Sequence, residues 1–153
     1  GAAGRSLLAM KFLAMRLMQI GLKVYLVGEV CTPSIREGDL LLVGSGSGET
    51  AGMIAICKKA KAAGAEVAVF TKNRNSTIAS IAKVAVQLNT AKPIQEGAAD
   101  PDGWIEGNYF SIRPSGNPFE QSIVIVGDAM VCELMQKTNC GTAKIAYNHA
   151  NLE

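Results

Sequence analysis

Asp39-Leu40-Leu41-Leu42-Val43-Gly44-Ser45-Gly46-Ser47-Gly48-Glu49-Thr50 is the stretch that decides the fold. Four consecutive aliphatic residues, apolar on both sides of an extended chain, suit a central parallel strand with helices above and below it. A run of glycine and serine follows at once. From Glu49 to Ala63 the residues are good helix formers, with Met53, Ile54, Cys57 and Ala60 on one face and Gly64 as the stop. Strand, small-residue loop and helix form the unit from which parallel α/β sheets are wound.

Upstream of this unit, Leu7, Leu8, Phe12, Met15, Leu17 and Met18 recur at helical spacing and predict an amphipathic helix over 5–20, stopped by Gly21. Lys23 to Val27 reads as a short strand, and Gly28 to Gly38, with Pro33 inside it, as a loop. Downstream, Glu66 to Phe70 reads as a strand, Ser76 as the cap of a helix over Thr77 to Ala82, and Val84 to Leu88 as a further strand. Alternating helices and strands with short connections predict a three-layer α/β sandwich on a parallel sheet, built from residues 1–153 as one domain. Residues 89–118, rich in Gly and Pro, form a long irregular connection. The helix predicted from Phe119 to Lys137 is apolar on nearly every face, so it needs cover on both sides: either the sheet and a neighbouring subunit share it or the core is unusually deep. The chain opens on Gly1-Ala2-Ala3-Gly4, a kind of segment that normally follows a strand, and a βαβ unit lacking its first strand is the expectation.

Of the 153 residues, 48% are hydrophobic and 18% charged, and fifteen Lys plus Arg against thirteen Asp plus Glu leave a formal charge of +2. No basic block offers a face to a phosphodiester backbone, so nucleic acid is not an expected partner. No apolar run reaches the ~20 residues of a membrane helix, and Arg5, Lys11 and Arg16 interrupt the opening segment. A soluble, cytoplasmic protein without membrane association is expected. Cys31, Cys57, Cys132 and Cys140 are widely spaced and His149 is the single histidine, a set that does not fit a zinc site. Cys57 and Cys132 read as small buried hydrophobes within helices.

Ser45 to Thr50 lies at the end of the most apolar strand and opens a helix. Glycines let backbone amides approach an anion, three hydroxyls can donate to it, and the helix N-terminus adds the positive end of its dipole. No Lys follows the last glycine, so this is not a nucleoside-triphosphate loop. The same residues also fit a serine-capped helix with a flexible entry. Gly1-Ala2-Ala3-Gly4-Arg5-Ser6 takes the equivalent place before the first helix, where Arg5 suits a phosphate or sugar hydroxyl and Ser6 a helix cap. Its glycine phasing is not that of a dinucleotide fold, which disfavours a nicotinamide cofactor.

Ser45-Gly46-Ser47-Gly48-Glu49-Thr50 matches the S-x-S-G-E-T signature of sugar isomerase (SIS) domains. The chain resembles one branch of them, the 6-phospho-3-hexuloisomerases, in Gly1 to Ser6 (G-A-x-G-R-S), Ala14 to Leu17 (A-M-R-L) and Val27 to Leu40 (V-G-E-x-x-T-P-S-I-x-x-G-D-L). Phe119-Glu120 and the closing His149-Ala150-Asn151-Leu152-Glu153 extend the likeness across the chain. The resemblance implies a five-stranded parallel sheet in flavodoxin-like order and a homotetramer with active sites shared between subunits. It implies, without metal or redox cofactor, interconversion of 3-hexulose 6-phosphate and fructose 6-phosphate through a cis-enediol, in ribulose monophosphate metabolism of formaldehyde. On that basis Glu120 is the candidate base, and His149 a proton shuttle reaching a neighbouring subunit's site. Ser45, Ser47 and Thr50, with the amides of Gly46 and Gly48, would hold the phosphate; Glu49 would orient the sugar, and Arg5 and Ser6 border the cleft. Apart from the resemblance, Glu120 reads as a carboxylate favoured by a helix dipole, His149 as a surface residue, and Thr71 and Ser76 as a strand end and a helix cap. A non-catalytic SIS domain that senses a sugar phosphate is the alternative function.

Overall fold

The computed structural model describes residues 1–90 and 117–152. The elements run α1 (Gly4–Gln19), β1 (Leu40–Gly44), α2 (Ala51–Ala62), β2 (Glu66–Thr71), α3 (Thr77–Ile81), β3 (Val84–Gln87), α4 (Asn117–Lys137) and α5 (Thr142–Tyr147). The three strands form one parallel sheet in the order β1-β2-β3, with Leu41 beside Val67, Val43 beside Val69 and Ala68 beside Val84.

Side chains alternate across a strand, and here both faces are apolar. Leu41, Val43, Val67 and Val69 pack with Met53, Cys57 and Ala60 of α2 and Ile78 of α3. Leu42 and Phe70 turn the other way, against Met10 and Leu13 of α1 and Phe119 and Ile123 of α4. The result is the expected three-layer α/β sandwich. Gly44 permits the close approach of the second layer, because a Cβ there would stand 2.9 Å from Met10 Cγ and 3.3 Å from Ile123 Cδ1. Likewise α1 and α4 come together where Gly127 meets Leu13.

The sheet departs from the sequence expectation on one side. Among the described residues it has three strands, not the five that the resemblance implies. Lys23 to Val27 does not join it. A strand exists only through a partner ladder, and among the described residues it is Gly1 and Ala2 that bond to β1 on this side. Ala2 forms a single parallel bridge with Gly44, the Gly44 N–H donates to Gly1 O at 2.9 Å, and the Gly1 amino group donates to Leu42 O at 2.7 Å. On the far side, Val27 Cγ2 lies 3.1 Å from the position of a Gly1 Cβ. Among the described residues, Lys23 to Val27 therefore stays outside the β1-β2-β3 ladder.

The remaining differences are local. Cys57 is buried as expected, whereas Cys132 is exposed, because it lines an open groove between α4 and the end of α1, with Arg16, Gln19 and Ile20. Ile123 and Val131 of α4 are buried while Ile125 is 70% exposed, so this apolar helix has an uncovered side in the single chain. Most of the predicted 89–118 connection lies outside the described residues. Among the described residues no helix is long and apolar enough to cross a membrane.

Candidate active site

In a parallel sheet the helices run back against the strands, so their N-termini collect at the strands' carboxyl ends, where α/β domains bind their ligands. β1 ends there in Gly44 and enters the Ser45–Thr50 loop; β2 ends in Thr71 and enters the turn before α3. The Ala2–Gly44 bridge brings the start of α1 to the same edge. Phe119, in the first turn of α4, sets its ring against Gly46: the Cδ1 atom is 3.4 Å from where a Cβ would be. Four helix N-termini therefore surround one loop.

The loop is held by its own hydroxyls and by β2. Ser45 is buried, and its Oγ accepts the Gly48 N–H at 3.1 Å and lies 3.3 Å from Thr50 Oγ1. Ser47 is exposed, and its Oγ accepts the Glu49 N–H at 3.2 Å. Gly46 O accepts the Lys72 N–H at 3.0 Å and the Thr71 hydroxyl at 3.3 Å, while Gly48 O accepts the Ile78 N–H at 3.0 Å. Gly48 has φ +71°, and a Cβ there would collide with the Ser76 side chain, so glycine is required twice over. Thr50 is the N-cap of α2 without a side-chain cap bond, and no acidic residue occupies the first turn. The first amides of α2 thus have no capping side chain, the condition under which a helix terminus accepts an external anion. The Gly48 N–H, by contrast, is occupied by Ser45, so a ligand would have to displace that bond.

Glu49 points away from the loop. Its carboxylate accepts the Thr77 N–H at 2.7 Å at the start of α3, and this bond holds its pKa below the ordinary carboxylate value. Ser76 Oγ accepts the Ala79 N–H at 3.3 Å and Thr71 Oγ1 accepts the Asn73 N–H at 3.1 Å, the capping and strand-ending roles read from the sequence. Ser6 does not cap α1: the N-cap is Ala3, with no side-chain bond, and Ser6 sits in the first turn.

Arg5 and Glu120 meet across the mouth of the site, Nε to Oε2, at 2.8 Å. The Glu120 side chain is only 12% exposed and that of Arg5 60%. Glu120 follows directly on Phe119, whose ring packs at Gly46 of the loop. His149 lies elsewhere in the same chain. Asn148 donates to Gln19 O at 2.9 Å, at the last residue of α1, whereas Arg5 is in its first turn. At 1.5 Å per residue the helix separates the two by about 20 Å. A single chain therefore joins Ser45–Thr50, Arg5, Ser6 and Glu120 at one edge and leaves His149 at the opposite end. Among the described residues no three His, Cys, Asp or Glu side chains gather as a metal would require. Sequence reading missed Phe119 as the floor of the loop and Lys72 as its neighbour. The signal for Lys72 was its position, first beyond the carboxyl end of a parallel strand.

This is a parallel α/β domain whose hydroxyl-bearing loop and a shielded carboxylate share the ligand-binding edge of the sheet. The SIS domain profile matches residues 1–100, and the chain belongs to the SIS domain family. It is 38% identical over 151 residues to the 3-hexulose-6-phosphate isomerase of Bacillus subtilis, covering 99% of this chain and 77% of that protein. The 3-hexulose-6-phosphate isomerase of Mycobacterium gastri is also 38% identical, with 99% and 71% covered. Among solved structures, a Methanococcus jannaschii protein with an inferred molecular function of 3-hexulose-6-phosphate isomerase superposes with a TM-score of 0.78 at 29% identity, covering 99% of this chain and 75% of that one.

Proposed function

We propose that this protein is a sugar-phosphate isomerase that interconverts 3-hexulose 6-phosphate and fructose 6-phosphate. One observation carries the reading: the mostly shielded Glu120 carboxylate, paired with Arg5 and next in sequence to the Phe119 that packs at Gly46 of the loop, lies in a chain 38% identical to 3-hexulose-6-phosphate isomerases. Moving a carbonyl from C3 to C2 requires removal of the C2 proton, a cis-enediol, and return of a proton to C3. Both carbons present that proton on one face of the enediol, so a single carboxylate can serve as base and then as acid. Glu120 fills that part. Arg5 holds the carboxylate through Nε and keeps its two terminal nitrogens for sugar oxygens that gain negative charge in the enediol.

Ser45, Ser47 and Thr50, with the amides opening α2, grip the phosphate and fix C2 and C3 over the base. Glu49 shapes this pocket indirectly, by tying α3 to the loop. Two copies complete the site in this reading. The apolar stripe Leu8, Phe12 and Met15 on α1, with Ile125 on α4, is the face on which copies of the chain assemble, and His149 of a neighbouring copy reaches the sugar oxygens. The homotetramer is the assembly we assign, and the cytoplasm the compartment where its phosphorylated substrates reside.

The purified chain, given 3-hexulose 6-phosphate, is expected to form fructose 6-phosphate in a coupled assay. Thermal stabilisation by the sugar phosphate with no turnover would instead select the non-catalytic sensor.

A further inference from the structure

Among the described residues, Lys72 carries a charge at this edge that has no part in the site described so far. Its backbone is fixed on both sides: its N–H donates to Gly46 O at 3.0 Å, and its carbonyl accepts the Gln87 amide at 3.1 Å. From that anchor the side chain lies across the loop. Its Cε atom is 3.2 Å from where a Gly46 Cβ would stand, so the glycine at position 46 is the space the lysine stem occupies. The other charges nearby are engaged, Glu49 with the Thr77 N–H and Glu120 with Arg5. Among the described residues the Lys72 ammonium has neither a hydrogen-bond nor an ion-pair partner.

We infer that Lys72 is a phosphate-binding residue: its ammonium closes over Ser45–Thr50 and donates to the dianionic group that the loop holds. This rests on the sugar-phosphate reading given above and adds to it the group that supplies full positive charge. Hydroxyls and amides alone balance a dianion only with partial charges, whereas an ammonium within hydrogen-bond reach forms a charge-assisted bond. The fixed backbone of Lys72 directs that charge to the phosphate end of the substrate, remote from the carbons that exchange hydrogen. Its contribution is therefore the same in ground state and transition state, and shows in KM.

The test compares the whole protein with its Lys72→Met and Lys72→Arg variants. Met keeps the apolar stem across Gly46, so packing is retained. Lys72→Met is expected to raise KM for 3-hexulose 6-phosphate about tenfold or more, with a much smaller change in kcat, and to weaken thermal protection by inorganic phosphate by a similar factor. Lys72→Arg is expected to restore most of both, and the KM of the parent protein to rise with ionic strength more steeply than that of Lys72→Met. Equal KM and equal phosphate protection in parent and Lys72→Met would overturn the assignment while leaving the isomerase reading intact. A parent protein that phosphate does not protect and that turns over no sugar phosphate would overturn both together.

Discussion

Arg5 Nε and Glu120 Oε2 are 2.8 Å apart although 115 positions separate them in the chain. The contact joins the first turns of α1 and α4, the two helices packed side by side on one face of the sheet. Arg5 gives the shielded carboxylate a charge-assisted hydrogen bond, and its own side chain is exposed.

The first prediction concerns that pair. Glu120→Gln preserves size and a hydrogen-bond acceptor but cannot take a proton from carbon. It is expected to lower kcat by about 10²–10⁴ while sugar-phosphate binding persists. Arg5→Lys, which keeps the charge and loses the Nε geometry, should reduce kcat by a smaller factor. Steady-state kinetics combined with calorimetric titration of substrate separates the two effects; a Glu120→Gln enzyme of near-parental turnover removes the base from its assigned place.

The second concerns Gly48. Its φ of +71° costs an L-residue about 1–2 kcal/mol, and the collision of a Cβ with Ser76 adds to that. Gly48→Ala should destabilise the protein by at least about 2 kcal/mol and weaken phosphate binding in parallel. Gly52→Ala, where a Cβ meets nothing within 4 Å, is the matched control and should be neutral or slightly stabilising. Denaturant midpoints measure both, and equal midpoints would show that the loop tolerates a side chain.

These positions also mark what the sequence reveals and what it conceals. Leu40 to Thr50 announces strand, loop and helix through local chemistry alone, and the apolar alternation of β2 follows the same logic. Lys23 to Val27 reads as a strand with equal clarity, yet forms none, because strand formation depends on a neighbour and no local pattern reports whether one is there. Glu120 is similar: the residue is visible in Phe119-Glu120, but its partner Arg5 lies beyond any sequence period. Gly46 looks like a generic loop glycine until the Lys72 stem and the Phe119 ring are placed around it.

Acid should loosen the tie between the loop and α3. Glu49 accepts the Thr77 N–H, and that bond lowers its folded pKa. The stabilisation is therefore complete above the ordinary glutamate value of about 4.3 and is lost as pH falls through the lower folded value. Denaturation at pH 7, 4 and 3 should show the parent protein losing more stability than Glu49→Gln across that window. Parallel profiles for the two would mean that the bond carries no pH-linked stability.

The last prediction brings His149 and the uncovered helices together. Leu8, Phe12 and Ile125 are 60%, 59% and 70% exposed in the single chain, on the outer side of the α1–α4 pair. If copies assemble through that stripe, Phe12→Glu with Ile125→Glu should yield a monomer by light scattering and abolish turnover without unfolding the chain. If sites are then completed by His149 of a neighbour, Glu120→Gln and His149→Ala should each be impaired alone and recover when mixed and allowed to exchange. Random pairing makes about half the pairs mixed, each with one intact site of two, so about a quarter of the parental rate returns. No recovery on mixing, with exchange verified by a mass-tagged copy, would confine His149 to its own chain, about 20 Å from the base by the length of α1.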